Sequence, residues 1–169
     1  MSQVYFISDL HFNHTNLISN LRNMTVEENN SLIVQNWNKK VTKKDLVYLL
    51  GDFSMADPNT IKEFIPQLHG RIILIGGNHD NRQCCEAFKN LGIVVMGCLS
   101  YKGFICTHIP IHPLELNGHF RGNIHGHIHT SKVDYGPKYF NVCCELLHYT
   151  PISFPELLEQ WYKRVTVTE

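Results

Sequence analysis

The strongest constraint in this chain is a local pattern that recurs along it: a short apolar, β-forming run ends in a turn that carries Asp, His or Asn. Val4-Tyr5-Phe6-Ile7 runs into Ser8-Asp9-Leu10-His11. Leu46 to Leu50 runs into Gly51-Asp52, and Arg71 to Ile75 into Gly76-Gly77-Asn78-His79-Asp80. The run from Phe104 ends in Thr107-His108, and Asn123 to Thr130 contains Gly126-His127-Ile128-His129. Apolar runs of this length bounded by turn residues read as buried strands. In open α/β folds ligands bind beyond the carboxyl ends of the strands, so these turns predict one shared, chemically loaded edge.

Helical patterns fill the gaps. Val26, Ile33, Trp37 and Val41 make one stripe of a helix from about Thr25 to Val41. Asp57-Pro58 reads as an N-cap followed by Pro at the first helical position, with Ile61, Phe64, Ile65 and Leu68 turned inward. Asn81 to Leu91 reads as a helix burying Cys84, Cys85, Phe88 and Leu91. Strands alternating with helices give an α/β domain. From Ile93 onward the apolar segments are short and punctuated by turns (Ile93 to Met96, Leu99 to Tyr101, Phe104 to Thr107, Gly122 to Gly126, Tyr139 to Cys143), which predicts a more antiparallel second sheet. A helix from Pro155 to Val165 is expected to bury Leu157, Leu158, Trp161, Tyr162 and Val165.

Composition narrows the function. The 169 residues suit a single domain spanning 1–169, and 43% hydrophobic against 18% charged residues supports a globular core. Lys plus Arg and Asp plus Glu both number 15, so net charge gives no drive toward general nucleic-acid binding or an acidic membrane. No apolar run reaches bilayer length, and the start lacks a signal-peptide pattern, so the expectation is a soluble cytoplasmic protein. The six cysteines include two adjacent pairs, Cys84-Cys85 and Cys143-Cys144, and read as reduced thiols. The eleven histidines are the unusual number, and imidazole is the commonest protein ligand for metals.

Two spacings sharpen this. Asp9 and His11 are two apart, as are His127 and His129; in extended backbone such pairs project to one side. Gly51, Gly76, Gly77 and Gly126 suit tight turns and close backbone approach. Carboxylate with imidazole favours Mn, Fe, Zn, Co or Ni over Ca or Mg alone.

The ordered set Asp9-x-His11, Gly51-Asp52, Gly77-Asn78-His79-Asp80, His108 and Gly126-His127-x-His129 resembles the calcineurin-like metallophosphoesterases, in particular their small single-domain bacterial and phage members. The resemblance implies a four-layer α/β/β/α sandwich: two mixed β-sheets flanked by helices, with a dinuclear metal site at one edge. By position, Asp9, His11 and His129 would hold one divalent cation. Asn78, His108 and His127 would hold the other, and Asp52 would bridge them. His79 would stand beside the substrate with Asp80 orienting it. The implied activity is hydrolysis of a small phosphate ester, a diester or monoester with nucleotides among the candidates, by a hydroxide held between the metals.

His14 and His112, which closely follow motif residues, and Arg121, a guanidinium suited to phosphate, are expected to contact substrate. His69 and His148 read as structural or exposed. Two alternatives stand beside the leading one: a nuclease, and a non-catalytic protein-binding scaffold on the same fold.

Overall fold

The computed structural model describes residues 2–131 and 135–166. Its strands are β1 (Val4–Ile7), β2 (Leu46–Leu49), β3 (Arg71–Ile75), β4 (Val94–Met96), β5 (Leu99–Tyr101), β6 (Phe104–Cys106), β7 (Gly122–His125), β8 (Tyr139–Asn141) and β9 (Ile152–Ser153). Its α-helices are α1 (Thr15–Leu17), which runs into a π-helical turn at Ile18–Arg22, α2 (Val26–Lys40), α3 (Pro58–Phe64), α4 (Arg82–Asn90) and α5 (Phe154–Thr166). The predicted N-termini hold. Asp57 caps α3 ahead of Pro58, and Asn81 caps α4. Thr25 and Glu28 close a reciprocal capping box on α2, which satisfies amides that the first turn leaves without partners.

β1 to β4 are parallel and lie in the order β4-β3-β2-β1, with β9 antiparallel on the far side of β1. Strand alternation divides the side chains between two cores. Tyr5, Ile7, Val47, Leu49 and Leu74 face Ile33, Trp37, Phe64 and Phe88 of the helices. Phe6, Tyr48 and Ile75 face Phe104, Cys106, Ile124 and Phe140 of the second sheet, where Phe154, Leu157 and Trp161 of α5 join them. Beyond the second sheet, Ile105 and Tyr139 are covered by Leu116, which lies in a 3₁₀ turn at Pro113–Leu116. The chain is thus a mixed α/β sandwich of two sheets flanked by helices. Among the described residues no helix is long and apolar enough to cross a membrane.

Three sequence expectations change. The second sheet, ordered β5-β6-β7-β8, is antiparallel only at β5-β6. β6-β7 and β7-β8 are parallel, and Val94–Met96 joins the first sheet instead. The long connections from β6 to β7 and from β7 to β8 carry the chain back, as parallel pairing requires. Leu91 is 40% exposed because α4 ends before it, and Ala87 takes the inward position. Tyr162 is 49% exposed, its hydroxyl accepting a hydrogen bond from Arg121 at 2.8 Å. All six cysteines are free thiols.

Candidate metal centre

Parallel order sends the turns after β1, β2 and β3 to one edge, and the parallel β6, β7 and β8 send theirs to the same place. A bridge between Ser8 and Cys143 ties the ends of the two sheets together. The turns after β1 and β2 keep pairing beyond the strands: Asp9 N–H donates to Gly51 O, His11 N–H to Asp52 O and Phe12 N–H to Phe53 O.

The backbone there is not extended. Asp9, His11, Asp52, His127 and His129 all have φ between 47° and 72°. These side chains are presented from left-handed turns, a conformation that L-residues adopt at a cost. The two-apart spacing still works. Leu10 drops into the core while Asp9 and His11 turn to the centre. The sequence expectation of a strand-like presentation is corrected on this point.

Crowding explains the glycines. A Cβ on Gly77 would overlap the Asp52 carboxylate, and one on Gly126 would overlap Ser8 and the Asp9 carboxylate. Gly51 is similarly hemmed in by His108. A Cβ on Gly76 would meet only the Met96 carbonyl oxygen, at 3.9 Å, so close approach does not require glycine there.

Two groups of ligand-type atoms result: Asp9, His11 and His129, and Asp52, His108 and His127, each within 4.8 Å of one another. Asp52 lies between them. Its Oδ2 is 3.3 Å from His108 Nε2 and 3.8 Å from His11 Nε2, while Oδ1 accepts the His79 amide at 2.9 Å. Asn78 Oδ1 is 2.9 Å from both His108 Nε2 and His127 Nδ1. On the other side, Asp9 Oδ1 is 3.7 Å from His11 Nε2 and from His129 Nε2. Asp9 Oδ1 and both ring nitrogens of His11 are buried with no hydrogen-bond partner among the described residues. Buried polar atoms without partners are costly. A divalent cation would take Asp9 Oδ1 and one of the His11 nitrogens as ligands, and a set of carboxylate, imidazole and amide oxygen fits such an ion.

The tautomers agree. His108 Nδ1 sits 2.7 Å from Leu50 O, and a carbonyl only accepts, so Nδ1 carries a proton and Nε2 is the nitrogen left facing Asp52, protonated toward the carboxylate in the metal-free chain and available as a ligand once that proton leaves. Burial alone would lower the His108 pKa, but the Asp52 hydrogen bond and charge, with Asp9 and the Leu50 carbonyl, raise it to about 8. Burial opposes ionisation of Asp9 and Asp52, yet the surrounding imidazoles and amides hold both below the usual carboxylate range.

A pH dependence follows. The folded His108 value of about 8 exceeds its ordinary 6.5, so in the metal-free chain the His108–Asp52 pair adds stability that is fully present below pH 6.5. That stability is lost as pH rises through about 8. A cation needs the imidazole unprotonated, so metal stabilisation runs the opposite way. Melting curves with and without Mn²⁺ should show a metal-induced rise in Tm that grows across this window; a flat or shrinking rise contradicts the assignment.

The other expected site residues divide. His79 is half-buried, with Nε2 3.9 Å from Asp52 Oδ2. Asp80 does not bond to its ring. The carboxylate accepts from the amides of Gly77 and Asp52 at 2.9 and 2.8 Å, and so fastens the turns after β2 and β3 to each other. His14 is at the centre, its ring 5.4 Å from that of His11 and 6.1 Å from that of His79. His112 is exposed and caps the 3₁₀ turn. Arg121 is not brought to the site. It precedes β7, at the end of the strand opposite the ligands, and packs on Phe104 and Trp161.

Sequence reasoning missed Glu145 and Arg22. Glu145 Oε1 is 3.1 Å from His129 Nδ1 and accepts from Arg22 at 2.7 and 2.9 Å. They lie 123 positions apart, outside every motif, so no spacing announces them. Cys143 is more than a free thiol: it donates to Asp9 Oδ2 at 3.1 Å.

A profile of the calcineurin-like phosphoesterases matches residues 2–141, a span holding both ligand groups. The chain belongs to the calcineurin-like phosphoesterase family. As a calcineurin-like phosphoesterase it is a metal-dependent hydrolase of phosphate esters. This phosphoesterase is 38% identical over 164 residues to the Methanocaldococcus jannaschii protein MJ1445, covering 90% of this chain and 88% of the relative. The solved structure of AQ665 from Aquifex aeolicus, a protein of unknown function, superposes with a TM-score of 0.76 at 27% identity, over 94% of this chain and 99% of that one. Nuclease MPE of Pseudomonas putida shares the fold at a TM-score of 0.52 and 21% identity, over 75% of this phosphoesterase and 60% of the nuclease.

Proposed function

We propose that this phosphoesterase works with two divalent cations, one held by Asp9, His11 and His129 and the other by Asn78, His108 and His127, with Asp52 shared between them. The observation that carries this reading is the position of Asp52 Oδ2, within 3.8 Å of ring nitrogens from both groups. When bound, such a pair supplies charge neutralisation at phosphate and lowers the pKa of a coordinated water. Carboxylate with imidazole favours Mn, Fe, Zn, Co or Ni.

The chain's own residues do the rest. Asn78 contributes a neutral oxygen, so it adds no negative charge where phosphate must sit. His79 stands at the exposed mouth with its amide anchored on Asp52, placed to give a proton to the leaving oxygen. Asp80 holds the backbone that presents both residues. The His14 pKa is lowered, first by burial and then by neighbouring His11 and His79. Its Nδ1 accepts the Leu17 amide at 3.4 Å, which leaves the proton of the neutral ring on Nε2 as a donor for phosphate.

The substrate class is a small phosphodiester or phosphomonoester, such as a nucleotide. The open mouth and a leaving-group acid lean toward the diester. Assay of the Mn²⁺-loaded protein on bis-p-nitrophenyl phosphate and p-nitrophenyl phosphate tests this, with faster turnover expected on the diester. No turnover of either ester contradicts the reading. Salt-sensitive cleavage of an oligonucleotide, with neither small ester turned over, would favour a nuclease instead.

A further inference from the structure

We propose that Glu145, clamped by Arg22, is a positioning residue for His129 and thereby sets the affinity of one of the two cation positions selectively, a role that rests on the two-cation reading above.

Arg22 is buried and makes a fan of contacts. Nη1 donates to Leu10 O and Asn29 Oδ1 at 2.8 Å, and Nη2 to Asp9 O at 2.6 Å. Nε and Nη2 both reach Glu145 Oε1. Arg22 therefore fixes the backbone that carries Asp9 and, through Glu145, the ring of His129. Two ligand residues of the same cation position are referred to one guanidinium. A carboxylate only accepts here, so His129 carries its proton on Nδ1 and turns the Nε2 lone pair toward Asp9. An acidic partner on the far nitrogen of a ligating histidine fixes its tautomer and raises its basicity. The imidazoles of the other group are oriented separately from Arg22 and Glu145: the His108 ring is set by Leu50 O and the His127 ring faces Asn78, while only the backbone amide of His127 reaches Asp9, at Oδ2.

Glu145, His129 and Cys143 could themselves be taken for a third cation site, because their ligand atoms also lie within 4.8 Å of one another. The geometry assigns that place to the guanidinium. Arg22 Nη2 is already 2.7 Å from Glu145 Oε1, and the Cys143 thiol is turned away to Asp9 Oδ2. Among the described residues Glu145 Oε2 is buried with no hydrogen-bond partner, so Oε1 carries the contacts to both Arg22 and His129. Glu145→Gln therefore keeps the acceptor while removing the charge.

The test is calorimetric titration of the chelator-stripped full chain with Mn²⁺, read alongside long-range ¹⁵N NMR of the His129 ring. Wild type should take two equivalents and show His129 protonated on Nδ1. Glu145→Ala should weaken one equivalent by about 10- to 100-fold, leave the other unchanged and mix the His129 tautomers. Glu145→Gln should lose less. Arg22→Met combined with Glu145→Leu removes both buried charges together, which folded proteins tolerate, and should reproduce the one-site loss if Glu145→Ala alone does not fold. Wild-type affinity at both positions in the double variant, or equal weakening of both, overturns the inference. Fewer than two equivalents in wild type overturns the two-cation reading itself, a result distinct from either.

Discussion

Asp52→Asn should reduce turnover by roughly 10³-fold or more, because charge stabilisation by a metal is worth several kcal/mol. The change is small in shape. The amide oxygen can still accept from the His79 amide as Oδ1 does now at 2.9 Å, so the turn after β3 keeps its anchor. The new –NH₂ then occupies the place of Oδ2, 3.3 Å from His108 Nε2 and 3.8 Å from His11 Nε2. There it offers protons where a cation requires a lone pair. The metal-free fold should survive, as circular dichroism and a melting curve would show, while bound Mn²⁺ per chain falls. A variant that retains both full metal content and turnover would remove Asp52 from the centre.

His79→Ala has the second large effect and a different signature. The backbone amide that binds Asp52 remains, and the ring contributes no atom to either ligand group, so metal content should stay at the wild-type level. Turnover should drop by about 10²–10⁴-fold on esters with poor leaving groups, the range for a lost general acid. The loss should be far smaller on p-nitrophenyl esters, whose leaving group needs no proton. An equal loss on both substrate types, or a loss of metal, would show that His79 acts in another way.

Much of this is legible in the sequence, for physical reasons. Local rules govern the first half: the cap at Asp57, helix starts near Thr25 and Asn81, period-two burial in β1 to β3, and turns after each strand. Parallel order then brings Asp9, Asp52 and Asn78 to one edge. The pairing of the second sheet is less legible, because three- and four-residue strands look alike whether parallel or antiparallel and long connections decide between them. Asp9-x-His11 and His127-x-His129 are recognisable as pairs, but the left-handed backbone that presents them is not a property of the spacing. Arg121 invites a phosphate role by its chemistry alone. Its position ahead of β7 rather than after it keeps it away from the centre. Nothing in the sequence announces Glu145 and Arg22. Each is an ordinary charged residue until the fold brings them to 2.7 Å.

The central claim meets its most direct test in crystals grown with Mn²⁺ and measured at the manganese absorption edge. Two anomalous peaks should appear, one among Asp9, His11 and His129, the other among Asn78, His108 and His127, with an Asp52 oxygen reaching both. A single peak, or peaks elsewhere with these side chains still paired only to each other, would contradict the account.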